Sequence, residues 1–203
     1  MSYSLNEVEA LAKKATRGAG YSWGLAEEAS KAVRVLCAHG LSGCDALLDA
    51  LMQFDTAGRG LCEPVCESGV WRAAEGALCP ITYGTILSDR AEQVSAKPLR
   101  AEQVAQPILL VPFVHQVARA IERTITLTTE QGVVVSDGKS VSVQSAWASH
   151  AEHVQVETGG TVENPIARTS RAKVQDSVWA KLNAFAHRTY APATEESRMK
   201  GAG

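Results

Sequence analysis

Arg17, Gly18, Ala19 and Gly20 form a short cation-glycine stretch, and Ser22 follows it. Glycine lacks a Cβ, so its backbone reaches positive φ and lets a ligand come close. Amides at the start of a helix attract anions. Arg17, Gly18, Gly20 and Ser22 are therefore the residue types that would hold a phosphate or carboxylate. Lys200, Gly201, Ala202 and Gly203 repeat the pattern, preceded by Arg188, Tyr190, Ser197 and Arg198. If that segment folds back onto the first, Arg188, Tyr190 and Arg198 join the same anion site. The alternative is a helix-loop-helix corner with glycine stops and a solvated tail. The stretch matches neither a dinucleotide fingerprint nor a phosphate loop, which need a strand before the glycines or a Gly-Lys-Ser/Thr ending.

Other reactive types are sparse. Cys62 and Cys66 are close in sequence and Cys79 follows, but a structural zinc site usually takes two such pairs. A fourth ligand would have to come from Cys44, His115, His150 or His153, and no metal is expected. His150 and His153 would point to opposite sides of a strand, which Val154 and Val156 favour. Cys79 precedes Pro80 with no base at diagnostic spacing, and no catalytic residue or cofactor is identified.

The composition limits the partners. Of 203 residues, 45% are hydrophobic and 21% charged, the balance of a folded domain. The net charge of -2 and scattered cations argue against nucleic acid. No apolar run is long enough to span a membrane. Five cysteines, an odd number, fit reduced thiols and a cytoplasmic setting.

The elements that would position these residues begin with three helices over residues 4–54. Ser4 and Glu7 form a capping box before the first. Gly18 and Gly20 stop it, Ser22 caps the second, Gly40 ends that one, and Ser42 and Asp45 open the third. The segment from Asp55 to Gly69 reads as a loop. Residues 77–84 read as a short strand or irregular segment, and Leu87, Ala91 and Val94 as a brief helix. Pro98 and Pro107 bracket an unassigned stretch. Ile108–Val111 is a buried strand or the start of a buried helix, and helical spacing continues to Ile121. From Arg123 to Thr158 the period is two, and Asp137-Gly138 marks a hairpin. A last helix carries Val174, Val178, Leu182 and Phe185. This order predicts an α+β fold: an N-terminal three-helix cluster, an antiparallel β-meander and a C-terminal covering helix. One domain spans 1–203. The alternative division is a helical subdomain at 1–54 and an α+β part at 55–203.

Taken with the segments at 5–32, 78–84 and 188–203, the chain resembles an uncharacterised bacterial family over nearly its whole length. That likeness implies no activity. Residues 5–45 also look like the helical start of malate/L-lactate dehydrogenase-like NAD(P)H oxidoreductases. There a Gly-x-Asp precedes Ser-His-Gly, whereas Gly43-Cys44-Asp45 here precedes Ala46-Leu47, without the histidine. The reading reached is a protein or enzyme that binds a small anionic metabolite near the Arg17–Gly20 loop. The alternative is a homo-oligomeric interaction or accessory protein, for which Trp23, Trp71, Trp147 and Trp179 are candidate anchors.

Overall fold

The computed structural model describes residues 1–57, 64–144 and 147–189. The first helices form where their sequence signals stand. Ser4 accepts a hydrogen bond from the Glu7 amide at 3.2 Å, and Glu7 accepts one from the Ser4 amide at 2.7 Å. That box starts α1 (Leu5–Gly18), which buries Val8, Leu11, Ala12 and Ala15 along one stripe. The same Ser4 amide bond, more than any other influence, holds the Glu7 carboxyl below its ordinary pKa. Ser4→Ala removes the cap and is expected to cost about 1 kcal/mol in urea unfolding. An unchanged midpoint would show that the box adds nothing.

Ser22 starts α2 (Trp23–Ala38) by accepting from the Leu25 amide at 3.3 Å. Gly40, at φ +68, turns the chain out of that helix and into α3 (Gly43–Ala57). Glycine is needed at the α2–α3 contact as well. A Cβ on Gly43 would lie 2.9 Å from the Leu36 Cβ.

The middle of the chain departs from the sequence reading. β2 (Pro64–Glu67) and β3 (Val70–Ala73) form a hairpin where a loop was expected. Residues 77–84 are not a strand, because Pro80 opens α4 (Pro80–Asp89). Proline's fixed φ suits that first position. Pro80, Ile81, Tyr83, Gly84 and Leu87 form its buried face, but Thr82, Thr85, Ile86 and Ser88 are half-buried as well, which blurs the contrast between the two sides. A short helix, α5 (Ala91–Ala96), follows. The stretch between the two prolines is β4 (Leu99–Ala105), a central strand. Ile108–Val111 belongs to a 3₁₀ turn (Pro107–Leu110) running into α6 (Val111–Ile121), so the helical alternative holds.

Four strands then follow: β5 (Ile125–Thr128), β6 (Val133–Ser136), β7 (Val141–Gln144) and β8 (His150–Thr158). The Asp137-Gly138 hairpin joins β6 to β7 as expected. They do not run as a simple meander, because the sheet order is β2-β3-β4-β8-β5-β6-β7. β8 leaves β7 at the edge and inserts between β4 and β5, pairing antiparallel with both. Its buried Ala151, Val154 and Val156 complete the covered face with Leu99, Ala101, Ile125 and Leu127. Among the described strands all pairings are antiparallel except β3 with β4, and an isolated parallel bridge joins Leu78 to Val104. A separate small sheet pairs β1 (Ser2–Ser4) with β9 (Arg171–Lys173).

The last helix, α7 (Asp176–His187), packs on α1 and α3. Helix α6 packs on β5 and β6 and also on α2 and α4, so it links the helical cluster to the sheet. A continuous apolar core runs from Val8 in α1 through the sheet to Ala186 in α7. The chain is an α+β protein, with three helices before the first strands of the large sheet, three more between its strands and one after them.

Candidate functional site

The Arg17–Gly20 corner is built as a packing junction. Arg17 Nη1 donates to the Tyr21 carbonyl at 2.8 Å, and its guanidinium lies 5.2 Å from the Trp23 ring centroid. Gly18 is where α1 crosses α7: a Cβ there would sit 1.8 Å from the Phe185 carbonyl oxygen. Gly20, at φ +87, makes the left-handed turn that ends the helix. Ser22 uses its hydroxyl as the α2 cap. Gly24 has no packing reason, since a Cβ there meets nothing within 4 Å.

The C-terminal helix does approach this corner. Phe185 touches Gly18 through its carbonyl and carries the Arg188 guanidinium 4.3 Å over its ring. Arg188 also forks onto the Asp55 carboxylate at 2.7 and 3.1 Å. Tyr190 and Arg198 lie outside the described residues, as does Lys200–Gly203. Arg17 and Arg188 thus already have partners inside the protein.

The thiols are placed apart in role. Cys37 and Cys44 face each other across α2 and α3 with sulfurs 4.0 Å apart, both buried. Hydrogen bonding from Cys44 lowers the Cys37 pKa, and the same contact plus burial pushes Cys44 up. Cys79 is buried at the start of α4 against the Tyr21 hydroxyl at 3.4 Å, while Cys66 is exposed on β2. Cys62 lies outside the described residues. His150 and His153 stand on β8, and His150 Nε2 meets Gln103 Oε1 at 2.7 Å.

Among the described residues, three clefts of more than 300 Å³ bring polar side chains together. The outer face of β4, β8 and β5 carries one of about 560 Å³. Several of its polar groups are engaged: Glu102 pairs with Arg72 at 2.9 Å, Arg100 bonds Gln155 at 3.1 Å, and Glu130 accepts from the His153 amide. A second, of about 370 Å³, lies between α3 and the segment after β7. It is acidic. Asp45 and Asp49 line it one turn apart, and burial followed by the Asp45 charge raises the Asp49 pKa.

The third cleft, about 320 Å³, opens between α2 and α6. Helix α2 contributes Glu28, Lys31, Ala32 and Val35, which recur on one face at helical spacing. Helix α6 contributes Pro112, Phe113, His115, Gln116 and Arg119. His115 and Arg119 are four apart, so they stand one above the other. Lys31 is held by Glu28 at 2.9 Å and Glu27 at 3.5 Å. Arg119 has no hydrogen bond, ion pair or ring contact among the described residues.

His115 is anchored by its neighbours. The Ser136 hydroxyl accepts from the Gly138 amide at 3.1 Å and lies within hydrogen-bond reach of the Ser140 carbonyl at 3.1 Å and of His115 Nδ1 at 2.8 Å. His115 Nε2 has no hydrogen-bond partner among the described residues. Ser136 is fully buried, which makes this arrangement stiff.

Burial is the first cause that lowers the His115 pKa. The neighbouring His39, Arg119 and Arg168 add to it, and Asp137 opposes them. The imidazole therefore stays neutral to lower pH than in the unfolded chain, where a histidine titrates near about 6.5. As pH falls through that value, the unfolded chain takes up a proton that the folded one refuses. The contribution of His115 to stability is present above it and declines below. Urea unfolding between about pH 7.5 and 5.5 should show a steeper loss in the wild type than in His115→Asn. Equal slopes would contradict the depressed pKa.

Sequence reading did not single out this cleft. His115 was counted only as a spare metal ligand, and Arg119 not at all. The four-residue spacing was the visible signal, but it gains meaning only when α2 is known to lie opposite. Among the described residues no group of three or more His, Cys, Asp or Glu is placed to hold a metal. No described helix is long and apolar enough to cross a membrane.

No curated protein matches the chain. The likeness to malate/L-lactate dehydrogenase-like enzymes therefore finds no support. Residues 3–80, from β1 to the first residue of α4, match the model of a family described as protein of unknown function, DUF3726, which supports the resemblance to an uncharacterised family over that part of the chain.

Proposed function

We propose that the protein binds a small anionic metabolite in the cleft between α2 and α6. The observation that carries this reading is the uncommitted Arg119 guanidinium beside the neutral His115. An arginine without an internal partner keeps its whole fork for a carboxylate or phosphate. Gln116 adds a neutral amide to the same wall. The cleft volume suits a compact ligand, at the lower end for small-molecule sites. What favours this cleft over the Arg17–Gly20 corner is that Arg17 and Arg188 are engaged by Tyr21, Trp23, Asp55 and Phe185. Free thiols at Cys37, Cys44, Cys66 and Cys79 support a reducing, cytoplasmic setting.

A thermal-shift screen against inorganic phosphate, sugar phosphates, nucleotides and carboxylic acids tests the reading. An anion present at 100 times its dissociation constant should add about 2.7 kcal/mol of stability. If no anion shifts the transition while light scattering shows a stable dimer, the homo-oligomeric reading takes its place. Trp23, 59% exposed, would then be the first residue to change.

A further inference from the structure

Two buried thiols meet where α2 hands over to α3. Cys37 lies in the last turn of α2 and Cys44 in the first turn of α3, and their sulfurs are 4.0 Å apart. Gly43 makes the approach possible. A Cβ there would stand 2.9 Å from the Leu36 Cβ and 3.4 Å from the Cys37 sulfur. From this contact we infer a second functional site, a dithiol that a hydroperoxide oxidises reversibly to a Cys37–Cys44 disulfide. It is independent of the anion reading above. A bonded pair of sulfurs stands about 2 Å apart, so each side chain has to move by about 1 Å.

The two sulfurs are not equivalent. Cys37 sits against the start of α3, the positive end of that helix. The Cys44 thiol lowers the Cys37 pKa, burial opposes it, and the Cys44 and Gly43 amides lower it further. Contact with Cys37, then burial, raises Cys44. The thiolate is the nucleophilic form, and a helix N-terminus favours it, so Cys37 attacks first. Its sulfur takes one peroxide oxygen, the O–O bond breaks, and the departing hydroxide picks up the proton that Cys37 released. Cys37 is then a sulfenic acid. The Cys44 sulfur attacks the Cys37 sulfur next. The S–S bond forms, the S–O bond breaks, and a second water leaves with the Cys44 proton. Two thiols and one hydrogen peroxide give one disulfide and two waters. A small dithiol reverses the change by thiol exchange. The acidic cleft offers the way in, since Gly40, Leu41, Ser42, Asp45 and Ala46 line it on both sides of Cys44 in the chain.

Mass spectrometry of the full chain tests the inference. The folded protein is given a stoichiometric amount of hydrogen peroxide, then unfolded, alkylated and mapped. Cys37 and Cys44 should appear as one disulfide-linked pair, and dithiothreitol should return both thiols. Cys79 is the matched control, because it is buried and meets the Tyr21 hydroxyl instead of a second thiol. Free thiol at Cys37 and Cys44 should disappear at least about tenfold faster than at Cys79, the effect of holding a reaction partner in place. Cys66, exposed on β2, shows that the oxidant has acted. In Cys44→Ser the reaction should stop at a sulfenic acid on Cys37, which dimedone traps. In Cys37→Ser no sulfenic acid should form at Cys44.

Both thiols still free after Cys66 has oxidised overturns the inference. So does a disulfide from either of them to another cysteine, or a loss no faster than at Cys79. A dimedone adduct on Cys44 in Cys37→Ser, with none on Cys37 in Cys44→Ser, overturns the assignment of Cys37 as the attacking sulfur. Should either variant fail to fold, the wild-type map decides on its own.

Discussion

Replacing Gly18 by alanine destabilises the protein by about 3 kcal/mol, the upper end for overpacking a tight contact. The new Cβ would stand 1.8 Å from the Phe185 carbonyl oxygen and 2.7 Å from its carbon. Both belong to helix backbone, which has no rotamer to give. Helices α1 and α7 must then separate. That loosens Phe185, Leu182 and Ala186 in the core and the stack of Tyr3 on Trp179, whose ring centroids are 3.5 Å apart. The sign is informative, because alanine is the better helix former by about 1 kcal/mol. Gly24→Ala is the matched control. Nothing lies within 4 Å of its Cβ, so the same exchange should stabilise by up to about 1 kcal/mol. Urea unfolding of the pair reads both. A Gly18→Ala protein as stable as Gly24→Ala would mean that α1 and α7 do not cross at this residue.

Arg119→Ala weakens phosphate binding by about tenfold to hundredfold, with little change in folding. A hydrogen bond from a charged donor contributes about 1.5–3 kcal/mol, and about 1.4 kcal/mol is a factor of ten. The guanidinium is exposed and holds nothing else among the described residues, so its removal leaves the helix intact. Arg17→Ala should behave in the opposite manner. It removes the hydrogen bond to the Tyr21 carbonyl and the contact with the Trp23 ring, which costs stability at the corner, and it leaves phosphate affinity unchanged. If Arg17→Ala abolishes binding and Arg119→Ala does not, the ligand belongs at the Arg17–Gly20 corner after all.

The local signals in the sequence were reliable where one residue controls one geometry. Ser4 with Glu7, Ser22, Gly40 and Asp137-Gly138 each stand where the chain starts, stops or turns. Periodicity failed where burial is not one-sided. In helix α4 the other positions, Thr82, Thr85, Ile86 and Ser88, are half-buried too, so the stripe of Pro80, Ile81, Tyr83, Gly84 and Leu87 has no strongly polar side to set it off. Strand β4 is interrupted by Gln103 at φ +54, which breaks the alternation expected of it. The place of β8 between β4 and β5 is a long-range choice, and no turn residue announces it.

The site was less legible for the same reason. Glycine next to arginine is conspicuous in a sequence, but Gly18 serves a helix crossing and Arg17 a carbonyl. The anchoring of His115 depends on Ser136, Gly138 and Ser140, which lie on the β6–β7 hairpin and meet α6 only in the folded chain. A histidine with an arginine one turn later reads as an ordinary solvated helix face until that hairpin and α2 are put around it.

The most direct measurement is a phosphate titration followed through the imidazole nitrogens of the five histidines, His39, His115, His150, His153 and His187. Phosphate bound in the α2–α6 cleft should move the Nε2 resonance of His115 in a saturable way. His150, His153 and His187, on the sheet and at the end of α7, should stay still. A saturable shift at one of those three with His115 unmoved would contradict the account, and so would the absence of any saturable shift.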